Sequence, residues 1–260
     1  MNAMVKLIVG TILVGAGVAR AEIKMETIEY KDGETALEGV LAYDEAVKEP
    51  RPLVLVVHEW WGLNEYAKSR AKQLAGMGYT AFAVDMYGKG VVTTDPKRAA
   101  ELAGPLRKDR AMMRRRIAAA LEALKGNARV DAGRVAAIGY CFGGTVALEL
   151  ARSGAALAGV VSFHGGLDTP APADAANIKG KVLVCTGADD KAVPITQVAA
   201  FADEMRAGKV DYQINIYGHA VHAFTNPASG NNPSTNVAYN ENADKRSWEA
   251  LKAFLAEVLK

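Results

Sequence analysis

Cysteine is scarce in this chain: Cys141 and Cys185 are the only two in 260 residues. A disulfide scaffold is therefore excluded, and with half the residues hydrophobic and 23 % charged the chain can bury its core without covalent or metal staples. A bond between the two thiols is disfavoured, because Cys141 sits in a glycine-rich bend where a staple would add strain. Net charge is nearly absent as well. The formal value is +2, and Lys6 and Arg20 account for all of it, so the residues beyond Ala21 are balanced between bases and acids. No nucleic-acid partner is indicated. The four histidines, His58, His164, His219 and His222, include no His-Glu-x-x-His spacing. A metal site built from them and nearby acids thus lacks sequence support, and neither metal nor organic cofactor is expected. No internal repeat is present, and nothing in the sequence sets an oligomeric state.

A long apolar run is missing too. Leu7 to Val18 is too short and too rich in glycine for a comfortable membrane span. Preceded by Lys6 and followed by Ala19-Arg20-Ala21, it reads as a signal peptide over residues 1–21, cut after Ala21. The expectation is a secreted or periplasmic protein, one domain over residues 22–260, with no stable membrane insertion after processing.

Within that domain two extended runs, Ile23 to Tyr30 and Thr35 to Tyr43, flank Asp32-Gly33, a hairpin signal. Leu53 to Val57 is unbroken branched aliphatic, as in a strand buried on both faces. Alternation follows: a helix from about Asn64 to Met77, strand Thr80 to Val84, helices across Pro96 to Lys125, strand Arg134 to Ile138 and a helix from Gly143. Strands Leu157 to Phe163 and Val182 to Thr186, helix Ile195 to Ala207, strand Tyr212 to Tyr217 and a last helix from about Asn240 to Leu259 complete it. The pattern predicts an α/β fold, a mostly parallel doubly wound sheet with an antiparallel N-terminal edge and helices on both faces. Trp248, Leu251, Leu255 and Leu259 form one apolar stripe on the last helix. Arg110, Arg114, Arg115 and Arg116 read as a solvated helix face. The polar stretch Thr225 to Asn236 is the one long loop, and its place after the last strand suggests a functional role.

Gly139-Tyr140-Cys141-Phe142-Gly143 joins a strand to a helix in the Gly-x-Cys-x-Gly pattern, a nucleophile elbow carrying sulfur in place of the usual serine oxygen. The helix behind it offers free N–H groups and a positive dipole end to a thiolate or an oxyanion. Ligands of doubly wound sheets bind at the carboxyl ends of the strands. All four histidines fall there, as do Glu59, Asp85, Tyr87, Lys89 and Asp190. A thiol needs an imidazole to take its proton, and the imidazole needs an acid to fix its tautomer. Cys141, Asp190 and His222 stand in the chain order of such a triad on this kind of sheet. Asp189 is the rival acid and His219 the rival base, and spacing alone does not choose.

Taken together, these residues resemble the dienelactone hydrolase family, α/β-hydrolases with a Cys-His-Asp triad. The likeness rests on His58-Glu59-Trp60-Trp61-Gly62-Leu63-Asn64, Asp85-Met86-Tyr87-Gly88, the Cys141 elbow, Gly187 to Pro194 and His222-Ala223-Phe224. It implies Cys141 as nucleophile, Asp190 as acid and His222 as base, with His219 accessory. It further implies an oxyanion hole at the Trp60 and Phe142 amides, and Glu59 as an internal carboxylate beside the thiol. Two arginines that hold a substrate carboxylate in that family are not matched: Lys89 stands near one position and Asn226 near the other. Lysine keeps charge without the two-pronged geometry and asparagine keeps only neutral hydrogen bonding, so dienelactone itself is a doubtful substrate. Tyr87 and Trp61 are expected to contact substrate, and Trp60, Phe142 and Phe224 to help line an apolar pocket. The expected activity is hydrolysis of a small-molecule carboxylic ester or lactone. A non-catalytic binding protein with the same fold is the competing reading, and a binder has no reason to hold all three triad groups.

Overall fold

The computed structural model describes residues 22–260, so the expected signal peptide, residues 1–21, lies outside the described part of the chain. The chain alternates strongly from its first buried strand. Strands β1 (Ile23–Asp32) and β2 (Thr35–Asp44) form the N-terminal hairpin, and β3 (Arg51–Val57), β4 (Thr80–Val84), β5 (Val130–Tyr140), β6 (Gly159–Phe163), β7 (Lys181–Gly187) and β8 (Tyr212–Tyr217) follow. Helices α1 (Glu65–Ala75), α2 (Pro96–Lys108), α3 (Arg110–Glu122), α4 (Phe142–Arg152), α5 (Ile195–Ala207) and α6 (Glu241–Val258) cross between them or close the chain. All eight strands lie in one sheet of order β1-β2-β4-β3-β5-β6-β7-β8; β3 to β8 are mutually parallel and β2 pairs antiparallel with both β1 and β4.

The aliphatic run of β3 explains the two layers. Leu53, Leu55 and Val57 point into one apolar core with α3, α4 and α5, through Met113, Ile117, Val146, Leu150 and Phe201. Val54 and Val56 point into a second core with α1 and α6, through Ala67, Leu74, Leu251 and Leu255. A two-residue period with both faces apolar leaves no solvated side. Caps set the helix starts: the Asn64 side chain accepts from Ala67 N–H, Asp109 from Met112 N–H and Asn240 from Ala243 N–H.

Two expectations change. Strand β5 begins at Val130 rather than near Arg134, because Asp131-Ala132-Gly133 forms a bulge inside the strand; pairing with β3 shifts between Pro52 and Leu53 and Asp131 Oδ1 accepts from Gly133 N–H. The arginine cluster of α3 is not a free solvated face. Arg110 meets Asp168, Arg114 bridges Glu149 and Asp174, and Arg115 and Arg116 share the carboxylate of Asp32 in the hairpin. Among the described residues no helix is long and apolar enough to cross a membrane.

Candidate active site

From β3 the chain passes to β4 on one side, and from β5 it runs on to β6 on the other, so a crevice opens at the carboxyl ends of β3 and β5. Cys141 stands there, between β5 and α4, with φ 53° and ψ −117°. A side-chain-bearing residue tolerates that conformation only where its surroundings impose it. They do so by close approach: a Cβ on Gly139 would lie 1.9 Å from the Gly143 carbonyl oxygen, and one on Gly143 would lie 2.3 Å from the Val57 carbonyl oxygen. Glycine at both positions lets α4 press against β3 and β5, and the bend turns the thiol out of the sheet.

His222 Nε2 lies 3.1 Å from Cys141 Sγ, and His222 Nδ1 lies 2.8 Å from Asp190 Oδ2. The other carboxylate oxygen of Asp190 accepts from Ala192 N–H at 2.8 Å and Val193 N–H at 3.2 Å. Asp190 is buried while Asp189 is exposed, and His219 is exposed with only its carbonyl engaged, by Asn240 Nδ2. The rivals are thus separated, and among the described residues the His219 ring makes no hydrogen bond. Burial opposes charge on His222, but the facing Cys141 sulfur and the Asp190 carboxylate outweigh it and hold the imidazole well above its ordinary pKa. Cys185 is free, buried, and pushed up to about 12 by that burial.

Two further histidines brace the site. His164, with φ 40°, accepts the Cys141 N–H at Nδ1 (3.1 Å), and its Nε2 meets Thr225 Oγ1 at 2.7 Å. Its ring stands edge-on to that of His222, centroids 5.3 Å apart. Burial keeps it neutral, as accepting at Nδ1 requires. His58 donates from Nδ1 to the Glu59 carbonyl and accepts Met86 N–H at Nε2, tying the loops that follow β3 and β4. Both rings have their nitrogens committed within the protein. Among the described residues no three His, Cys, Asp or Glu side chains gather as metal ligands.

Glu59 is buried and points into the crevice, where Asn226 Nδ2 donates to it at 2.6 Å. Burial raises its carboxyl to about 6, against the hydrogen bond from Asn226 and the nearby His222. The backbone N–H groups of Trp60, in the β3–α1 loop, and of Phe142, opening α4, have no acceptor among the described residues. A cavity of about 650 Å³ spreads from Cys141 and His222 over Trp60, Trp61, Val92 and Val237, with Asn226 and Asn236 from the polar loop in its wall. That loop also supports the base, since His222 N–H donates to the Asn236 carbonyl and Ala238 N–H to that of His222.

Other expected contacts fall elsewhere. Lys89 is turned away, its ammonium held by Glu29 and, at 3.3 Å, by Glu38 of the hairpin. Two acids across a hairpin outbid the cavity for a flexible cation. Tyr87 donates its hydroxyl to the Trp60 carbonyl at 3.1 Å and packs on His58 and Phe142, bracing the wall without lining it. Phe142 and Phe224 are likewise core residues. The charged residue that sequence reading missed is Arg107, in the last turn of α2, which does line the cavity. Its only sequence signal was the pair Pro105 and Asp109, which splits the crossover into two helices and lays the first one beside the site.

Residues 37–259 match the Dienelactone hydrolase family. Two solved structures are similar over 92 % of this chain and 99 % of their own: m3DLH, at 43 % identity with a TM-score of 0.87, and the dienelactone hydrolase-like promiscuous phosphotriesterase from metagenomic libraries, at 42 % and 0.86. A protein of Aquifex aeolicus that bears the provisional name carboxymethylenebutenolidase is 27 % identical over 90 % of this chain and 99 % of its own. The family match spans β3 to β8 and every element that frames the crevice, and the chain belongs to the dienelactone hydrolase family, within the α/β-hydrolases that cleave esters and lactones.

Proposed function

We propose that the protein is an exported cysteine hydrolase that cleaves a carboxylic ester or lactone through a thioester on Cys141. The carrying observation is the line of contacts from Cys141 Sγ through His222 to Asp190. The Cys141 thiolate, paired with the His222 imidazolium, attacks the carbonyl carbon. The oxyanion is received by the Trp60 and Phe142 N–H groups. Collapse breaks the carbon–oxygen bond, the leaving oxygen takes the proton from His222, and an acyl thioester remains. Water then gives a proton to neutral His222 and attacks the thioester, and the thiolate departs from the released acid. Asp190 fixes the imidazole tautomer and stabilises its cation throughout. Glu59, buried beside this chemistry, is proposed to assist the transfer of the thiol proton to His222 that forms the thiolate–imidazolium pair, its carboxylate favouring the imidazolium. No metal or cofactor takes part. Lys6, the apolar Leu7 to Val18 and Ala19-Arg20-Ala21 support export and cleavage after Ala21.

The test is turnover of short-chain aryl esters, lactones and thioesters by the processed protein and its Cys141→Ala form, with intact-mass detection of the acyl adduct. An aryl phosphotriester belongs in the set, because the relative at 42 % identity is named for that activity. Loss of turnover and of the adduct in Cys141→Ala is expected; full turnover without the sulfur would refute the mechanism. A binding protein would instead retain ligand affinity and show no turnover. Iodoacetamide should modify Cys141 rapidly near neutral pH, and His222→Ala should slow that reaction by roughly tenfold or more.

A further inference from the structure

We propose that Asn236 is a positioning residue that sets the contact between Asp190 and His222, by pinning the acid's loop and the base's loop to each other. The inference rests on the triad reading above and deepens it with a residue outside the triad. Asp190 belongs to the turn between β7 and α5, and His222 to the segment between β8 and α6. Their 2.8 Å contact therefore joins two loops that a helix and a strand separate in the chain. Two backbone donors flank the acid and bind it to the base's segment. Before Asp190, the Asp189 N–H donates to the Ala220 carbonyl at 3.0 Å. After it, the Lys191 N–H donates to Asn236 Oδ1 at 2.8 Å.

The same residue holds the base. Its carbonyl accepts the His222 N–H at 3.2 Å, and Val237 beside it forms an isolated parallel bridge with His222. Asn236 thus reaches the neighbour of the acid through its side chain and the base through its backbone. The Asp189 tie alone would leave the acid's loop free to turn about one bond, and a second tie on the far side of Asp190 stops that rotation. The backbone makes the double contact possible: Asn236 closes the short turn Pro233–Thr235 with φ 64° and ψ 6°, the left-handed region, which asparagine tolerates better than most side chains. Glycine would supply the turn without the acceptor, and aspartate would supply both. The titratable groups that face His222 are Cys141, Asp190, Glu59 and the neutral His164, with Arg107 further out in the cavity wall. Each of the first four has its hydrogen-bonding partners elsewhere, so loss of the Asn236 amide changes geometry and removes no charge.

Titration of the His222 ring, followed by NMR in the native protein and three variants, tests this. Asn236→Gly keeps the left-handed turn and loses the acceptor. Its imidazolium, held less closely by Asp190, should lose its proton roughly one pH unit lower, with the unfolding midpoint near the native one. Asn236→Ala loses the acceptor and strains the turn, so it should show the same fall together with a loss of stability. Asn236→Asp keeps an acceptor for the Lys191 N–H and should leave the titration no lower than in the native protein. Alkylation by iodoacetamide reads the other end of the pair: in Asn236→Gly the pH profile of Cys141 should move up by roughly one unit, because the thiolate loses part of the cation that favours it. A native His222 titration in Asn236→Gly overturns the proposal, and so does a fall in Asn236→Asp as large as in Asn236→Gly. Lost stability in Asn236→Ala with His222 unmoved would make the residue a turn former alone, which overturns it equally. Failure of the hydrolytic reading is seen separately, as turnover retained by Cys141→Ala, and the His222 titration still decides on Asn236 in that case.

Discussion

Glu59 combines a charge with an environment that opposes it. The folded carboxyl titrates near 6 and the free side chain near 4.5, a raised value, so folding favours the protonated form. The sign follows: the ionised group costs stability above about pH 6, and the cost is relieved as pH falls towards 4.5. A gap of this size corresponds to about 2 kcal/mol. Glu59→Gln keeps an acceptor for Asn226 and removes the charge, so it should stabilise the protein by about that amount at pH 7.5, with the advantage fading to nothing near pH 4.5. Urea unfolding across that range measures it, and a gain that persists at low pH would mean that something other than ionisation is responsible. At this scale the sequence was informative about kind and silent about partner. Asp190 and His222 could be told from Asp189 and His219 only by resemblance, since burial separates each pair and neighbouring residues share every local signal. Lys89 misled because its partners Glu29 and Glu38 lie far back in the chain, in a hairpin whose pairing with β4 no local pattern reveals.

At the scale of elements, the elbow is a contact between β5, α4 and β3 in which glycine permits the approach. Gly139→Ala would drive a methyl group into the Gly143 carbonyl, 1.9 Å away, where rigid backbone cannot yield. It should lower stability by about 1–3 kcal/mol or more, and displace the thiol as well. Gly104, inside α2, has nothing within 4 Å of an added Cβ and no left-handed φ. Gly104→Ala should therefore stabilise by about 0.5–1 kcal/mol with no change at the thiol. Denaturant midpoints at equal m-value distinguish the two, and equal behaviour of both variants would show that the close approach at Gly139 is not rigid. Most elements were legible in the sequence, and for identifiable reasons: the unbroken aliphatic run of β3 could be satisfied only by helices on both faces, and Asn64 and Asn240 announced helix starts by their capping chemistry. What escaped was tertiary in origin. The bulge at Asp131 to Gly133 reads locally as a turn, and only pairing with β3 makes it part of a strand.

Across the whole molecule, one polar tie joins the first crossover helix to the last helix and to the segment behind His222. Arg70 of α1 reaches Asp244 of α6 at 2.6 Å and the Thr225 carbonyl at 2.8 Å, while Tyr66 and His164 converge on the Thr225 hydroxyl. The side chains of Arg70 and Asp244 are 8 % and 15 % exposed, so water replaces little of what the pair supplies. Removing one member leaves a charge buried without its partner. Arg70→Met should cost about 3–5 kcal/mol, and the further change Asp244→Leu should restore part of it, because the penalty lies in the stranded carboxylate more than in the lost attraction. The same tie holds Thr225, hence the His164 ring that accepts the Cys141 N–H and stands against His222. The double variant should regain stability without regaining the native rate of Cys141 alkylation, since apolar packing can replace the ion pair but cannot donate to the Thr225 carbonyl. Thermal unfolding and iodoacetamide kinetics on the four proteins of that cycle decide the matter. Full recovery of both together would show that α1 and α6 need only be packed against each other, and that the site draws its geometry from the sheet alone.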